Sequence, residues 1–197
     1  MVTLLHFAVS VPANQITITQ EVEMVFEVDG KILKPVTIGL FGLSVPKGAL
    51  NFYELCTKRN LKINGKKAGY IGTRLHRMVP NHVFQGGDFM QDDGDGSISA
   101  WGGLFGDEDL SITHTKYALT YMGLLTNPKK NGSLFVITLA TQMPSLDHNY
   151  QVFGRVVKGF DELHYLNHNF AAIDGVPKKT VKIYDCYDPK VKSDDSM

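Results

Sequence analysis

From Gln15 to Val28 apolar residues alternate, at Ile16 and Ile18 and then, past Gln20, at Val22, Met24, Phe26 and Val28. A side-chain period of two belongs to a strand with one buried face, not to a helix. Asp29-Gly30 follows, a dipeptide that favours tight hairpins, and Val36, Ile38 and Leu40 mark Pro35 to Phe41 as the return strand. Ala118 to Leu125, Ser133 to Ala140, Gln151 to Val157 and Thr180 to Tyr184 are further strand-like runs. Two segments have a helical period instead. These are Lys47 to Thr57, with Leu50, Tyr53/Glu54 and Leu55 spaced for one buried face, and Gly159 to Asn167, with Phe160, Leu163 and Leu166 on one face. Short strands divided by turn signals, with two helices among them, predict a mainly β domain, either a sandwich or a closed barrel.

A chain of 197 residues fits one domain with a full core. Lys+Arg and Asp+Glu are equal at 20 each, so no net field points to nucleic acid or an anionic membrane, and no stretch is long enough to span a bilayer. Cys56 and Cys186 lack metal-ligand spacing and read as free buried thiols, which favours a reducing, cytoplasmic setting. Residues 1–20 form an N-terminal extension. Val2 to Val11 is mostly apolar and Val11-Pro12-Ala13 has the look of a cleavage site, but no Lys or Arg precedes it. A terminal extension that is docked or frayed is therefore the first expectation. The secretory pathway is the alternative if residues 1–13 are a signal. The domain itself is expected over 21–187, and 188–197 form a charged tail.

Three motifs are weighed and set aside. Asp92-Asp93-Gly94-Asp95-Gly96 lacks the glutamate that would close a calcium loop. His164 and His168 stand one helical turn apart without a third ligand nearby, so no metal is expected. Asn131-Gly132-Ser133 is formally a glycosylation sequon, of consequence only in a secreted chain.

The stretch Gly72 to Phe89 reads as strand, turn and strand. Pro80-Asn81 makes the turn and Gly86-Gly87 ends the second strand. It gathers a guanidinium (Arg77), an imidazole (His82) and an amide (Gln85) on one hairpin. His76-Arg77-Met78-Val79-Pro80 followed by Phe84-Gln85-Gly86-Gly87-Asp88-Phe89 resembles the signature of the cyclophilins. Val45-Pro46-Lys47, Asn51-Phe52, Leu55-Cys56-Thr57, Val152 to Val157 and Lys182 to Cys186 fall in that family's order and spacing, so the resemblance covers roughly Val22 to Cys186.

The resemblance implies a closed eight-stranded antiparallel barrel capped by two α-helices. It also implies a peptidyl-prolyl cis-trans isomerase that assists folding, acts on proline-containing peptides or client proteins and needs no cofactor. The chemistry is one rotation. Resonance gives the X-Pro amide a barrier of about 20 kcal/mol, and a guanidinium donating to the twisted proline nitrogen stabilises the transition state without forming a covalent bond. Arg77 stands where the family keeps that arginine, and Gln85 matches its substrate-binding glutamine. The expected pocket is His82, Val83, Gly123, Leu124, Leu134, Val136, Leu146 and Tyr150. Several of these depart from the family pattern. His82 replaces a phenylalanine, Val83 a methionine, Leu134 a glutamine, Val136 a phenylalanine and Tyr150 a histidine, while Ser145 or Pro144 stands where tryptophan is common. Reduced activity and weak cyclosporin binding are expected. The competing reading is a non-catalytic proline-peptide reader or a structural subunit of a larger assembly.

Overall fold

The computed structural model describes residues 10–121 and 129–191. Eight strands form the main sheet: β1 (Gln20–Val28), β2 (Val36–Leu40), β3 (Leu75–Val79), β4 (Val83–Gly86), β5 (Ala118–Tyr121), β6 (Phe135–Thr138), β7 (Val152–Lys158) and β8 (Val181–Tyr187). Their order is β8-β1-β2-β7-β5-β6-β4-β3, and the paired neighbours along it are antiparallel. The two-residue strand Lys31–Ile32 adds a ninth member against β1. The two ends of the sheet are joined just ahead of β3, where Arg74 bridges Lys182 and where Gly72 and Ile183 donate backbone N–H to Ile183 and Thr73. The expected closed barrel is thus a curled sheet with a short seam.

The alternation in the sequence sets what lies inside. Val22, Met24, Phe26 and Val28 of β1 are all buried. The expected strand from Gln15 starts pairing later, at Gln20, because Ala13–Gln15 form a short 3-10 turn. Asp29 and Gly30 both take positive φ, 51° and 78°, which two-residue hairpin turns require.

Helix α1 (Pro46–Thr57) begins with proline, whose fixed φ suits a first turn. Its buried side is Ala49, Asn51, Phe52, Leu55 and Cys56, whereas Leu50 is 47% exposed. The expected face was rotated by one position, because Phe52 rather than Leu50 joins the aromatic cluster of Tyr70, Phe135 and Phe153. Helix α2 (Phe160–Phe170) buries Leu163 and Leu166, and Phe160 rests half-covered on the Tyr117 ring.

The cysteines overturn the reading as free thiols. Cys56 of α1 and Cys186 of β8 form a disulfide across 130 residues of sequence, with Cα atoms 5.0 Å apart. Neither cysteine has a sequence neighbour that signals the other. Only the packing of α1 across the sheet brings them together.

At the other end, Val11–Pro12 lie parallel to Ile112–Thr113, and Ala13 is fully buried. Residues 10–13 are docked on the domain. Residues 1–9 and 192–197 lie outside the described residues, and with them most of the extension and of the tail. Among the described residues no helix is long and apolar enough to cross a membrane.

Candidate active site

Alternation along β3, β4 and β6 divides their side chains between the core and the outer face of the sheet. Met78, Phe84, Phe135 and Ile137 are buried in the main core. Arg77, Gln85 and Val136 occupy the alternate positions and stand in one row, since Arg77 pairs with Gln85 and Gln85 with Val136 in register. The next pair along β3 and β4 is Val79 opposite Val83. Val83, Val136 and Met143 make a small apolar cluster separate from the main core, with Val79, Ala140 and Leu146 packed against it. The hairpin has therefore set a cation and an amide beside an aliphatic floor.

Arg77 is exposed, and among the described residues no side chain or carbonyl accepts a hydrogen bond from its guanidinium. Its stem is held instead. A Cβ built on Gly175 would sit 3.0 Å from Arg77 Cγ and 3.2 Å from its Nε, so backbone lies against the side chain where only glycine fits. Gln85 is oriented from the other side, its Nε2 donating to the Gly94 carbonyl at 3.3 Å.

Gly94 belongs to a loop built around one carboxylate. Asp88, 1% exposed, accepts the N–H groups of Met90 and Gln91 on Oδ1 and those of Asp93, Gly94 and Gly96 on Oδ2, at 2.9–3.2 Å. Burial alone would raise its pKa. The N–H donors of Gln91, Gly94, Gly96 and Asp93 together outweigh that and lower it to about 2. The Asp- and Gly-rich stretch expected as a loop is thus folded by backbone donors converging on Asp88. Asp92 is engaged as well, by Arg74 and by His76 Nε2, each at 2.9 Å.

Leu146 and Tyr150 sit on the turn after β6, where the Tyr150 N–H donates to the Leu146 carbonyl at 3.1 Å. Asp147 ties this turn to the domain by accepting both the backbone N–H and Nδ1 of buried His114 at 2.7 Å. Burial holds the His114 pKa below its ordinary value, against the opposing pull of Asp147. Tyr150 borders a cleft of about 360 Å³ with Ser145, His148 and Lys129.

The structure thus brings Arg77, Val83, Gln85, Val136 and Leu146 together. Leu134 is buried two residues before Val136 on the same strand direction, and His82 is an exposed side chain at the β3–β4 turn. His82 is therefore at the rim and not in the apolar floor. Gly123 and Leu124 lie outside the described residues. Sequence reasoning missed Met143, which fills space beside Val83 and Val136, Asp88, which holds Gln85 through Gly94, and Gly175, whose backbone lies directly on Arg77. An apolar residue in the polar loop Thr141-Gln142-Met143-Pro144 was the signal for the first. Asp174-Gly175, a turn dipeptide, was the signal for the last.

Residues of two of the set-aside motifs have partners within the domain. His164 accompanies the Tyr117 hydroxyl, and among the described residues no cluster of three or more ligating side chains is arranged for a metal. Asn131 of the sequon is 3% exposed and its amide donates to Asp107 Oδ1 at 2.9 Å, which leaves it inaccessible in the folded protein. Trp101 donates to Glu54 from a different loop and takes no part in the pocket.

Residues 23–188 match the family described as cyclophilin type peptidyl-prolyl cis-trans isomerase. The chain belongs to the cyclophilin family. It is 37% identical over 180 residues to peptidyl-prolyl cis-trans isomerase CYP21-1 of Arabidopsis thaliana, covering 90% of this chain and 80% of that one. It is also 37% identical over 169 residues to peptidyl-prolyl cis-trans isomerase B of Saccharomyces cerevisiae, covering 86% and 80%. The matched span of this cyclophilin begins within β1 and ends just past β8, so it includes both helices and all of the curled sheet but the first three residues of β1.

Proposed function

We propose that this cyclophilin catalyses cis–trans isomerisation of X-Pro bonds in peptides and client proteins, through Arg77. The observation that carries the reading is the row Arg77, Gln85 and Val136, with the Val83, Val136 and Met143 floor beside it. The floor takes the proline ring while the exposed guanidinium donates to the ring nitrogen as it becomes pyramidal. Gln85, steadied by Gly94, holds the client backbone. Stabilising a charge that grows only in the twisted state lowers the barrier without tightening the ground state.

The floor is aliphatic: none of Val79, Val83, Val136, Ala140, Met143 and Leu146 is aromatic. This supports a weaker grip on the ring, hence reduced turnover and weak cyclosporin binding. It also keeps alive the second reading, a module that holds proline peptides, or sits in a larger assembly, without accelerating exchange.

The Cys56–Cys186 bond removes the ground on which the cytoplasm was favoured and supports an oxidising compartment.

The experiment is refolding of a client limited by proline isomerisation, with wild type beside Arg77→Ala. Acceleration by wild type that falls about 100-fold in the variant supports the enzyme. Equal rates with and without wild type, alongside retained peptide binding, select the second reading.

A further inference from the structure

We propose that the turn at residues 172–177 is a specificity surface of the substrate groove, on which Ile173 and Val176 receive a large apolar side chain next to the client's proline. The inference rests on the isomerase reading of the Arg77 site and names the client class that site selects.

The turn is rigid and its place is fixed. It leaves α2 past buried Ala171 and rejoins it where the Lys178 N–H donates to the Phe170 carbonyl at 2.9 Å. In between it is fastened to the free edge of β3. Met78 N–H donates to the Gly175 carbonyl at 2.8 Å, and Ala172 N–H donates to the Met78 carbonyl at 3.0 Å. Gly175 N–H closes the turn on the Ala172 carbonyl at 2.9 Å, and Val176 N–H donates to Asp174 Oδ1 at 3.0 Å. Gly175, at φ 84°, lies directly on the stem of Arg77. The residues on either side of Gly175 are therefore held at a set position relative to the guanidinium.

Those residues are apolar and uncovered. Ile173 is 94% exposed and Val176 66% exposed. Single exposed apolar side chains are ordinary. Here two β-branched ones share a turn fastened by four hydrogen bonds, next to the cation assigned to the reaction. Stiff side chains on a fixed backbone lose little freedom when covered, so a contact there returns most of its hydrophobic gain to binding. Val176 and Pro177 are also the exposed apolar part of a cleft of about 180 Å³ whose lining is otherwise largely polar, with Arg74, His76, Asp93 and Lys179 among it. Between these two side chains, Ile173 and Val176, the Gly175 backbone lies against both Arg77 and Val79, members of the row and floor that hold the proline, which favours the client over a separate partner.

The test is titration of the isotope-labelled protein with pentapeptides of the form Ala-Xaa-Pro-Zaa-Ala, with Leu or Ser at one flank and Ala at the other. Dissociation constants and catalysed exchange rates are read from the same samples. Wild type is expected to bind the Leu peptide about fivefold more tightly than the Ser peptide at one flank. The ratio is expected to fall to about one in Ile173→Ser/Val176→Ser and to survive in Ile173→Leu. Both side chains are exposed, so the variants keep the fold.

No Leu preference in wild type, or an undiminished one in the double variant, overturns the proposal. So does self-association of wild type that the double variant abolishes while peptide preference stays unchanged, which would assign the surface to a second copy. Preference without accelerated exchange removes the isomerase reading and leaves the surface standing. Accelerated exchange without preference removes the surface alone, and a protein that binds none of the peptides removes both.

Discussion

Replacing Asp88 with asparagine tests how a buried carboxylate shapes the site. In the folded protein Asp88 accepts five backbone N–H groups, and its pKa is lowered from 3.8 to about 2. A folded pKa below the unfolded one means that the stabilisation is fully present above the unfolded value and is lost as pH falls through the folded one. A shift of this size corresponds to about 2.5 kcal/mol at pH 7, of which about 1 kcal/mol is gone by pH 3 and about 2 kcal/mol by pH 2. Asparagine has nearly the same shape, but one of its two terminal groups is itself a donor and must face either the Met90 and Gln91 N–H pair or the three on Oδ2. Asp88→Asn is therefore expected to cost about 2–4 kcal/mol at neutral pH. Urea unfolding of both proteins from pH 7 to pH 2 provides the comparison. The gap between them should shrink toward acid, because only wild type loses this stabilisation. A gap that is constant with pH would refute the assignment of the loop's stability to this charge.

Other consequences follow from the same geometry. Cys56→Ser and Cys186→Ser each open a 130-residue loop and should lower unfolding stability by about 2–5 kcal/mol. Wild type should show no alkylatable thiol under denaturing, non-reducing conditions, and two free thiols would contradict the bond. His114 is buried with its pKa held below 6.5, so the folded protein resists protonation that the unfolded chain accepts. Stability should therefore fall as pH drops below about 6.5, and His114→Gln should flatten that part of the curve. Because His114 also fastens the Leu146–Tyr150 turn through Asp147, the same variant should raise KM more than it lowers kcat, as seen in steady-state assays on proline peptides.

Much of the fold was legible because local pattern and burial agree. Period two in Val22 to Val28 predicts the inward face of β1, and Pro80-Asn81 predicts the turn that sets Arg77 opposite Gln85. Other features depend on packing between distant segments. Leu50 and Phe52 are both apolar, and only the aromatic cluster beneath α1 decides which faces inward. Cys56 and Cys186 meet because the helix crosses the sheet, a relation that spacing along the chain does not encode. In the site, the row on β3, β4 and β6 follows from alternation once the register is known, whereas Met143 enters from a loop that has no period. Asp88 and Gly175 act through backbone, one by gathering N–H groups and one by leaving room for Arg77, so side-chain chemistry alone could not mark them.

The central claim is that Arg77, set beside an aliphatic floor, accelerates rotation about the X-Pro bond. Exchange spectroscopy on an Ala-Pro peptide series, with wild type beside Arg77→Ala, addresses it directly. The account predicts cis–trans exchange well above the uncatalysed rate with wild type, and loss of about 100-fold or more of that catalysis in the variant. Wild-type exchange at the uncatalysed rate, or catalysis undiminished in Arg77→Ala, would contradict it.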